Sequence, residues 1–459
     1  IQAKAACDAQ GRLVAYAMDG DFDTGAYASW GPTVAGRVPV HATGPYKVPH
    51  VRNLSRAIYT NGPPSGAFRG FGVPQAALAQ ESLFDDLATA AGLDRLEFRL
   101  INAIRAGDTT PSGQRLEASA GLAECLEALK PHWQRLLADA AAFNASEGRT
   151  RRGVGIGCMW YGIGNTGMSN PSTMRVTLSK DGRLTFWNGA VDIGQGSTTV
   201  LTQIAADALG LPVERFDLVL GDTALTFDAG KTSASRQTFV SGRAAEAAAA
   251  ALRAEILRLT NAGPMARLAL EGTSVTVAEN GVVARIDLAA LPAKPDGTVL
   301  EGIGSFDPPT VPLDAMGQGV PYATYGFAAQ IASLDVDLDL GTIKLNRIVA
   351  AHDVGRAINP MLVEGQIHGG IAQGIGLALM EEYLPGRTAG DVPPIDIILV
   401  EDPEPLGPSG AKGIGEPALV PTAPAILGAI RHATGVTPRQ VPVLPHRLWE
   451  LLRAKEGRS

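Results

Sequence analysis

The sequence has little cysteine and no run of one charge. Its three cysteines, Cys7, Cys125 and Cys158, lie far apart and without CxxC spacing. This chain can therefore build neither a four-cysteine iron–sulfur site nor a disulfide framework, and a reducing, cytoplasmic compartment is predicted. Lys and Arg total 39 against 46 Asp and Glu, a net charge of −7, and basic residues never form a long run. Binding to nucleic acid is not predicted.

Long hydrophobic runs are also missing, so no membrane-spanning helix is predicted. The first residues have neither a signal peptide's pattern nor an initiator Met, which predicts a trimmed or internal start. What the sequence has in quantity is glycine (54) and proline (31), with 45% hydrophobic residues. This composition excludes coiled coils and disorder. Predicted hairpins mix with single helices rather than strict βαβ units, so the predicted fold class is α+β.

Four glycine-rich segments each make a turn at or just before a predicted helix. Glycine permits positive φ and close backbone approach, and such turns beside a helix N-terminus favour anionic or oxo groups. Several in one chain predict one extended, phosphate-bearing cofactor, although any single one is more often a plain turn. Neither a Walker A loop nor a Rossmann fingerprint accompanies them. The segments span residues 65–72, 192–198, 371–376 and 410–417.

Glu416 lies in the last of these segments. A lone carboxylate in an apolar, glycine-lined turn is poorly hydrated, which suits a general base. The alternative is a carboxylate that complements the dipole of a helix predicted over residues 418–430. Lys412, four residues earlier, either pairs with Glu416 or orients a substrate.

Other polar residues have both a binding and a structural interpretation. Gln195 can hydrogen-bond an oxo, phosphate or amide group, or be satisfied within its own turn. Residues 232–235 offer hydroxyls to phosphate or pterin, or cap the helix predicted after them. Arg69 and Phe71 fit the same binding pattern or a surface turn. His352 is interpreted as a core histidine, because the seven histidines show no metal-ligand spacing.

Six short motifs occur in one order, within a resemblance that spans about residues 5–450. They are AFRGFGVPQ, DIGQGSTT, TSASRQTF, AAHDVGRAINP, QIHGGIAQGIG and GAKGIGEP. Together they resemble the molybdopterin-binding large subunit of the xanthine dehydrogenase and aldehyde oxidase family. The resemblance implies two elongated α+β domains with the molybdenum cofactor between them. Residues 1–147 would be the remainder of the first domain and residues 148–459 the second.

The resemblance also implies roles for individual residues. Glu416 resembles the family's catalytic base, and no side chain is implied as a molybdenum ligand, since the pterin holds the metal. The implied cofactor is molybdenum-molybdopterin, either as such or as the cytosine dinucleotide. The positions that resemble cofactor contacts are Arg69, Gly70, Gly194, Gln195, Gly196, Ala234, Ser235, Gln373 and Gly415.

The chain departs from the family pattern in lacking the GGGFGG segment and the glutamine beside the metal oxo group. It is therefore expected to be the C-terminal part of a large subunit, either a split gene product or a fragment. An N-terminal chain carrying the glycine-rich segment would complete the site. The iron–sulfur and FAD groups are expected on further partner subunits, which would carry the electrons away.

The substrate prediction depends on Arg37 and Phe71. Arg37 precedes the first motif at the spacing at which purine-oxidising members place a substrate-orienting arginine, and Phe71 matches one stacking ring. The second stacking ring would fall near residues 162–165, where no Phe occurs, which leaves Trp160 or Tyr161 as substitutes. A purine or other N-heteroaromatic substrate is predicted. Aldehyde oxidation and a non-catalytic cofactor-carrier subunit are the alternatives.

Overall fold

The computed structural model describes residues 1–146, 148–381 and 392–457. Within them, hairpins and single helices follow one another in an irregular order, and the α+β prediction is confirmed. Residue 147, where the sequence predicts the domain division, lies outside the described residues, as do the last two residues of the predicted second domain. That division stays a prediction. None of the described helices has the length and apolarity that crossing a membrane requires.

The first part of the chain is a three-stranded sheet covered by helices. The sheet has the order β1-β2-β3, with an antiparallel first pair and a parallel second pair. The crossover between the parallel strands contains the helix α1. The elements are β1 (Gln2–Cys7), β2 (Leu13–Gly25), α1 (Gly31–His41), β3 (His50–Tyr59), α2 (Val73–Ala90), α3 (Arg95–Asn102) and α4 (Leu122–Asn144).

A second sheet, of order β14-β13-β12-β4, forms the centre of the molecule. Its two longest strands are almost entirely buried, because helices cover both faces. On one face, glycines at 153, 155 and 157 of β4 let the backbone of α8 approach so closely that any added Cβ would collide with it. On the other face α4 packs, so one core runs from the first part of the chain into the second. The elements are β4 (Thr150–Gly162), β12 (Tyr325–Asp337), β13 (Ile343–Asp353), β14 (Ile395–Val400) and α8 (Thr422–Thr434).

A third sheet, of order β11-β5-β6-β7, packs against two helices, and a small antiparallel meander of β8, β9 and β10 adjoins it. The alanine-rich α6 packs closely because β11 contributes two glycines where an added Cβ would strike the helix backbone. The elements are β5 (Ser172–Ser179), β6 (Leu184–Asn188), α5 (Ser197–Leu209), β7 (Phe216–Leu220), α6 (Gly242–Thr260), β8 (Arg267–Glu271), β9 (Ser274–Glu279), β10 (Val282–Asp287) and β11 (Thr298–Phe306).

The last helices correct two predictions. Residues 371–376, predicted as a turn that opens a helix, lie inside α7 (Pro360–Leu379). The last described helix is α9 (Pro445–Lys455). The glycines of α7 serve packing, since a Cβ at Gly370 would meet Ala418. The helix predicted over 418–430 is instead a short 3-10 turn, Pro417–Leu419, followed by α8.

Candidate active site

A cavity of about 1140 Å³ lies where distant segments of the chain meet. It is bounded by α1 and the turn before α2 on one side, and by the turn before α5, the loop 231–238, one face of α7 and the segment 411–416 on the other. Each of the six motifs contributes at least one residue to its wall. Examples, one from each motif, are Arg69, Gln195, Ser235, Arg356, Gln373 and Glu416.

The Glu416 carboxylate accepts hydrogen bonds from three separate segments. The backbone N–H of Ala234 donates to Oε1 at 2.8 Å, and that of Gly70 donates to Oε2 at 3.3 Å. The hydroxyl of Tyr161 also donates to Oε2. Glu416 stands at the N-cap position of the 3-10 turn that follows it but makes no side-chain cap bond, and the helix-dipole alternative stays a prediction. The donors fix the carboxylate at the cavity wall.

Ala234 and Ser235 present their backbone to Glu416 through an unusual conformation. Both have left-handed φ angles, 54° and 55°, which non-glycine residues seldom adopt outside functional sites. Ser235 Oγ accepts a hydrogen bond of 2.9 Å from the Glu416 N–H, and a Cβ at Gly413 would collide with the Ser235 backbone. A π-helical turn, Gln237–Ser241, runs directly into α6, and neither makes a side-chain cap bond, so capping by residues 232–235 is not what the structure shows.

Arg69 joins the segment before α2 to α7 and to the Glu416 segment. Its Nε donates to the Gly415 carbonyl at 2.5 Å, and its Nη1 donates to Gln373 Oε1 at 3.1 Å. Its Nη2 donates to the Gln366 carbonyl at 2.9 Å. Burial lowers the pKa of Arg69, although the charge of Glu416 opposes that shift. Three predicted cofactor contacts, Arg69, Gln373 and Gly415, are thus in direct contact with one another.

Gly70 and Phe71 form the tight turn that leads into α2. Both have positive φ, 93° and 50°, and a Cβ at Gly70 would lie 2.6 Å from the Pro74 side chain. The Phe71 ring stands edge-on to Trp30, with ring centroids 6.2 Å apart. Lys231 Nζ lies 4.2 Å from the centroid of the Trp30 ring. These half-exposed groups make one wall of the cavity aromatic and cationic.

Arg37 lines the cavity from α1 but is only 3% exposed. Its guanidinium lies over the rings of Tyr161 and Tyr322, at 4.2 Å and 4.9 Å from their centroids. One terminal nitrogen donates to the Gly162 carbonyl and the other to that of Gly164 at 3.5 Å. Its Nε has no partner within the described part of the chain. The predicted substrate role of Arg37 stays a prediction.

The two candidates for a second stacking ring lie elsewhere. Trp160 is buried in the core and stacks on Tyr325, with centroids 4.7 Å apart. Tyr161 is fully buried and directs its hydroxyl to Glu416. Neither ring is among the described residues that line the cavity, whereas Phe71 is. The expected substitution of a stacking ring is therefore wrong.

The turn before α5 is organised by a carboxylate that the sequence did not single out. Asp192 accepts hydrogen bonds from the N–H groups of Gly194 and Gly196 at 2.8 Å and 3.2 Å. Burial acts to raise the pKa of Asp192, but these and the Thr198 N–H lower it. Gln195 bonds within its own turn, with Nε2 donating to Ser197 Oγ at 2.9 Å. The satisfied-turn alternative thus describes the Gln195 side chain.

Lys412 does not pair with Glu416. Its Nζ forms a fully buried ion pair of 2.5 Å with Asp353 Oδ2, at the end of β13. The expectation of a Lys412–Glu416 pair is wrong, because Asp353 lies nearer on the neighbouring strand end. His352 is buried beside Gln330, and burial lowers its pKa to about 3, so its interpretation as a core histidine is confirmed.

The charge of the cavity contrasts with the net charge of the chain, which is −7. Among the described residues that line it, Glu416 is the single carboxylate. Of the cationic side chains that line the cavity, only Lys412 forms an ion pair with a described residue, Asp353. A cationic wall of this kind favours an anionic ligand. The volume of the cavity exceeds that of most single-ligand pockets. A phosphate-bearing pterin fits both properties. The cationic side chains are Arg37, Arg69, Lys231, Arg236, Arg356 and Lys412.

Comparison with known proteins supports the same class of site. Models of the molybdopterin cofactor-binding domain match residues 1–103 and 127–391. A xanthine dehydrogenase molybdenum-binding subunit of Escherichia coli is 35% identical over 96% of this chain and 60% of its own length. Aldehyde oxidoreductase of Megalodesulfovibrio gigas is 32% identical over 99% of this chain and 49% of its own length.

Solved structures agree with the sequence matches. The aldehyde oxidoreductase of Desulfovibrio desulfuricans superposes with a TM-score of 0.85 at 30% identity, covering 98% of this chain and 48% of that one. Quinoline 2-oxidoreductase of Pseudomonas putida gives 0.83 at 27% identity, covering 98% and 61%. The fold and the cavity define a molybdopterin-binding protein. The chain belongs to the molybdenum-binding large subunits of the molybdenum hydroxylase family, which are oxidoreductases, and spans about half to three fifths of these relatives.

Sequence reasoning missed several residues of the cavity wall. Gln366 and Arg236 lie inside quoted motifs, and their motif membership was a usable signal. Arg236 is 1% exposed and donates to the carbonyls of Asn170 and Pro171 at 2.6 Å and 2.8 Å. Burial lowers its pKa to about 10. Trp30 lies outside every motif, and no sequence signal marks it.

Proposed function

We propose that this chain forms much of the active site of a molybdenum hydroxylase that adds water-derived oxygen to an electron-poor carbon of a purine or other N-heteroaromatic ring. The observation that carries the proposal is the Glu416 carboxylate, held by three donors at the wall of a cavity whose other charged groups are cationic. When bound, molybdenum-molybdopterin supplies a Lewis acid and the acceptor for two electrons.

Glu416 is proposed to take up the proton of the attacking water. Each carboxylate oxygen has about two acceptor positions. Oε2 already accepts from Tyr161 and Gly70, whereas Oε1 accepts only from Ala234. The proton is therefore assigned to Oε1, which keeps a free acceptor position. The bonds to Oε2 hold the side chain in place while Oε1 reacts.

Backbone and side-chain donors around the cavity are proposed to hold the cofactor. Left-handed glycines and the Ala234–Ser235 turn bring the main chain to the cavity wall, and a Cβ at Gly194 would meet open space. The cationic side chains of the cavity wall suit phosphate and pterin oxygens. The cofactor is either molybdenum-molybdopterin itself or its cytosine dinucleotide, and the two forms differ in the length of the bound ligand. The proposed contacts are Arg69, Gly70, Gly194, Gln195, Gly196, Ala234, Ser235, Gln373 and Gly415.

Arg37 and Phe71 are proposed to orient the substrate, with the unpaired Nε of Arg37 as the donor to a ring substituent. An aldehyde substrate is the second candidate. The terminal nitrogens of Arg37 favour it, because they already donate to the Gly162 and Gly164 carbonyls. Fewer hydrogen-bond donors therefore remain for a purine. The relatives named aldehyde oxidoreductase point the same way.

The remaining parts of the enzyme are proposed to lie on other polypeptide segments or chains. The relatives extend well beyond the region matched by this chain. A segment carrying the glycine-rich loop would complete the cavity, and iron–sulfur and FAD subunits would accept the electrons. The three cysteines are unpaired thiols, which suits a cytoplasmic enzyme.

The direct test of the proposal is the isosteric Glu416→Gln variant in the complete, cofactor-loaded complex. Loss of a general base lowers kcat about 10²- to 10⁴-fold. Molybdenum content per chain should stay at the wild-type level, because the amide keeps the size of the carboxylate and one of its two acceptor oxygens. Wild-type turnover of both a purine and an aldehyde by this variant would contradict the proposal.

A further inference from the structure

Three buried tyrosines cluster behind the cavity, and their hydroxyls have different partners. Tyr322 shares a hydrogen bond of 2.5 Å with Thr166 Oγ1, and Tyr325 donates to Gln114 Oε1 at 3.0 Å. Tyr161 donates to Glu416 Oε2. All three rings are at most 1% exposed. Only the Tyr161 hydroxyl, among these three, touches a group that the proposed chemistry uses.

The ring of Tyr161 also carries a charge contact on its other side. The Arg37 guanidinium lies over it at 4.2 Å from the ring centroid. Burial raises the pKa of Tyr161 well above its ordinary value, and Glu416 adds to that rise while Arg37 opposes it. The phenol is therefore a constant donor, and its rigid ring has no alternative position in the packed sheet.

We propose that Tyr161 is a positioning residue that fixes the orientation of the Glu416 carboxylate and reserves Oε1 for the proton. This inference rests on the proposed role of Glu416 as the base. Without the hydroxyl, Oε2 would keep only the longer bond from Gly70 and the carboxylate could rotate. Partial rotation about the Cγ–Cδ bond would turn the free acceptor position away from the cavity and make the reactive geometry a minor population.

The hydrogen bond itself is tested without cofactor or turnover. The chain is labelled with 3-fluorotyrosine, and Tyr161→Phe assigns the fluorine resonance of Tyr161. In Glu416→Gln that resonance should move by more than its linewidth, because the acceptor loses its charge. The Tyr325 resonance, assigned in the same way, should not move. A Tyr161 resonance that stays in place in Glu416→Gln would overturn the proposal.

The functional consequence is tested in the loaded complex by separating kcat from KM. Tyr161→Phe keeps the ring and removes one bond to a charged group, so kcat should fall about tenfold to hundredfold with KM within about twofold. Tyr325→Phe, which removes a neighbouring buried hydroxyl of equal size, should change kcat less than about threefold. Equal kcat in Tyr161→Phe and wild type, with Glu416→Gln inactive, would refute the positioning role alone. An active Glu416→Gln would instead refute the proposed base.

Discussion

Arg99 and Arg37 are both almost fully buried, yet they solve the problem of a buried charge in different ways. Arg99, in α3, is 0% exposed and bonds to Glu81 and Asp85 at 2.8 Å and 2.9 Å. Burial acts to lower the pKa of Arg99, but those carboxylates raise it well above its ordinary value. Among the described residues, Arg37 contacts aromatic rings and backbone carbonyls but no carboxylate.

The presence or absence of carboxylate partners distinguishes buried charges that stabilise the fold from buried charges that are available to a ligand. A buried cation with two carboxylate partners is compensated within the protein. The cations Arg37, Arg69 and Arg236 have no such partner within the described chain, and all three line the cavity. Their compensation is left to polar carbonyls and, if the proposed function is right, to the anionic cofactor. Each of the following variants tests one side of this contrast.

The largest expected effect is on the compensated side. Arg99→Met would leave Glu81 buried without its cation and Asp85 with only Arg95, at 3.6 Å, which costs about 3–5 kcal/mol of unfolding free energy. Urea unfolding of the purified chain measures it. Arg56→Met, which breaks an exposed pair with Asp19 and Asp21, should cost much less, because those partners stay hydrated. Equal losses in the two variants would contradict the contrast.

The next effect is on substrate selection by Arg37. Arg37→Met should lower kcat/KM for a purine about hundredfold, because a charged hydrogen bond to the ring is lost. Turnover of a simple aldehyde should change less than about threefold. Steady-state kinetics of the loaded complex on both substrates decides the matter, and an equal loss on both would remove purine orientation from the role of Arg37.

A smaller effect is expected for cofactor retention at Arg69. Arg69→Met removes bonds to Gln366, Gln373 and Gly415, so the cavity should release its cofactor about ten times more readily. Molybdenum per chain after extended dialysis measures this, and the unfolding free energy of the cofactor-free chain should fall by less than about 2 kcal/mol. Full molybdenum retention would argue against a cofactor role for Arg69.

The last effect concerns buried groups that avoid charge altogether. Burial lowers the pKa of His352 to about 3 and, with Arg37 contributing, holds that of His41 well below its ordinary value. Below about pH 6.5 the unfolded chain binds these protons and the folded chain does not, so stability falls as pH drops. Each such histidine contributes about 1.4 kcal/mol per pH unit. His352→Gln should flatten this slope in urea titrations between about pH 6 and pH 4, and an unchanged slope would contradict it.

Local sequence predicted those elements whose ends carry their own signals. The sequence predicts a helix over residues 197–209, and α5 has these bounds, because left-handed glycines at 196 and 210 flank it. Helix α1 was not predicted, since Pro39 lies inside it and glycines and prolines interrupt its apolar pattern. The glycines at 371–376 indicate a turn by composition. In the structure they allow close helix packing, which only the partner helix determines.

The candidate site divides in the same way. The resemblance identified Glu416, Arg69 and the glycine turns, and the structure brings them to one cavity. Sequence could not show that Tyr161 rather than Lys412 contacts Glu416, because Tyr161 and Glu416 are separated by 255 residues. Such contacts depend on the register of β4 in the central sheet, which local pattern leaves undetermined.

The central claim is that the uncompensated cations of the cavity hold an anionic molybdenum cofactor beside Glu416. The most direct test is elemental analysis for molybdenum and iron, with subunit mass spectrometry, on the complex purified through this chain. We expect close to one molybdenum per chain, iron on a separate subunit, and a polypeptide that carries the glycine-rich segment. An intact complex without molybdenum, made in a host that matures this cofactor, would contradict the claim and favour a carrier or structural role.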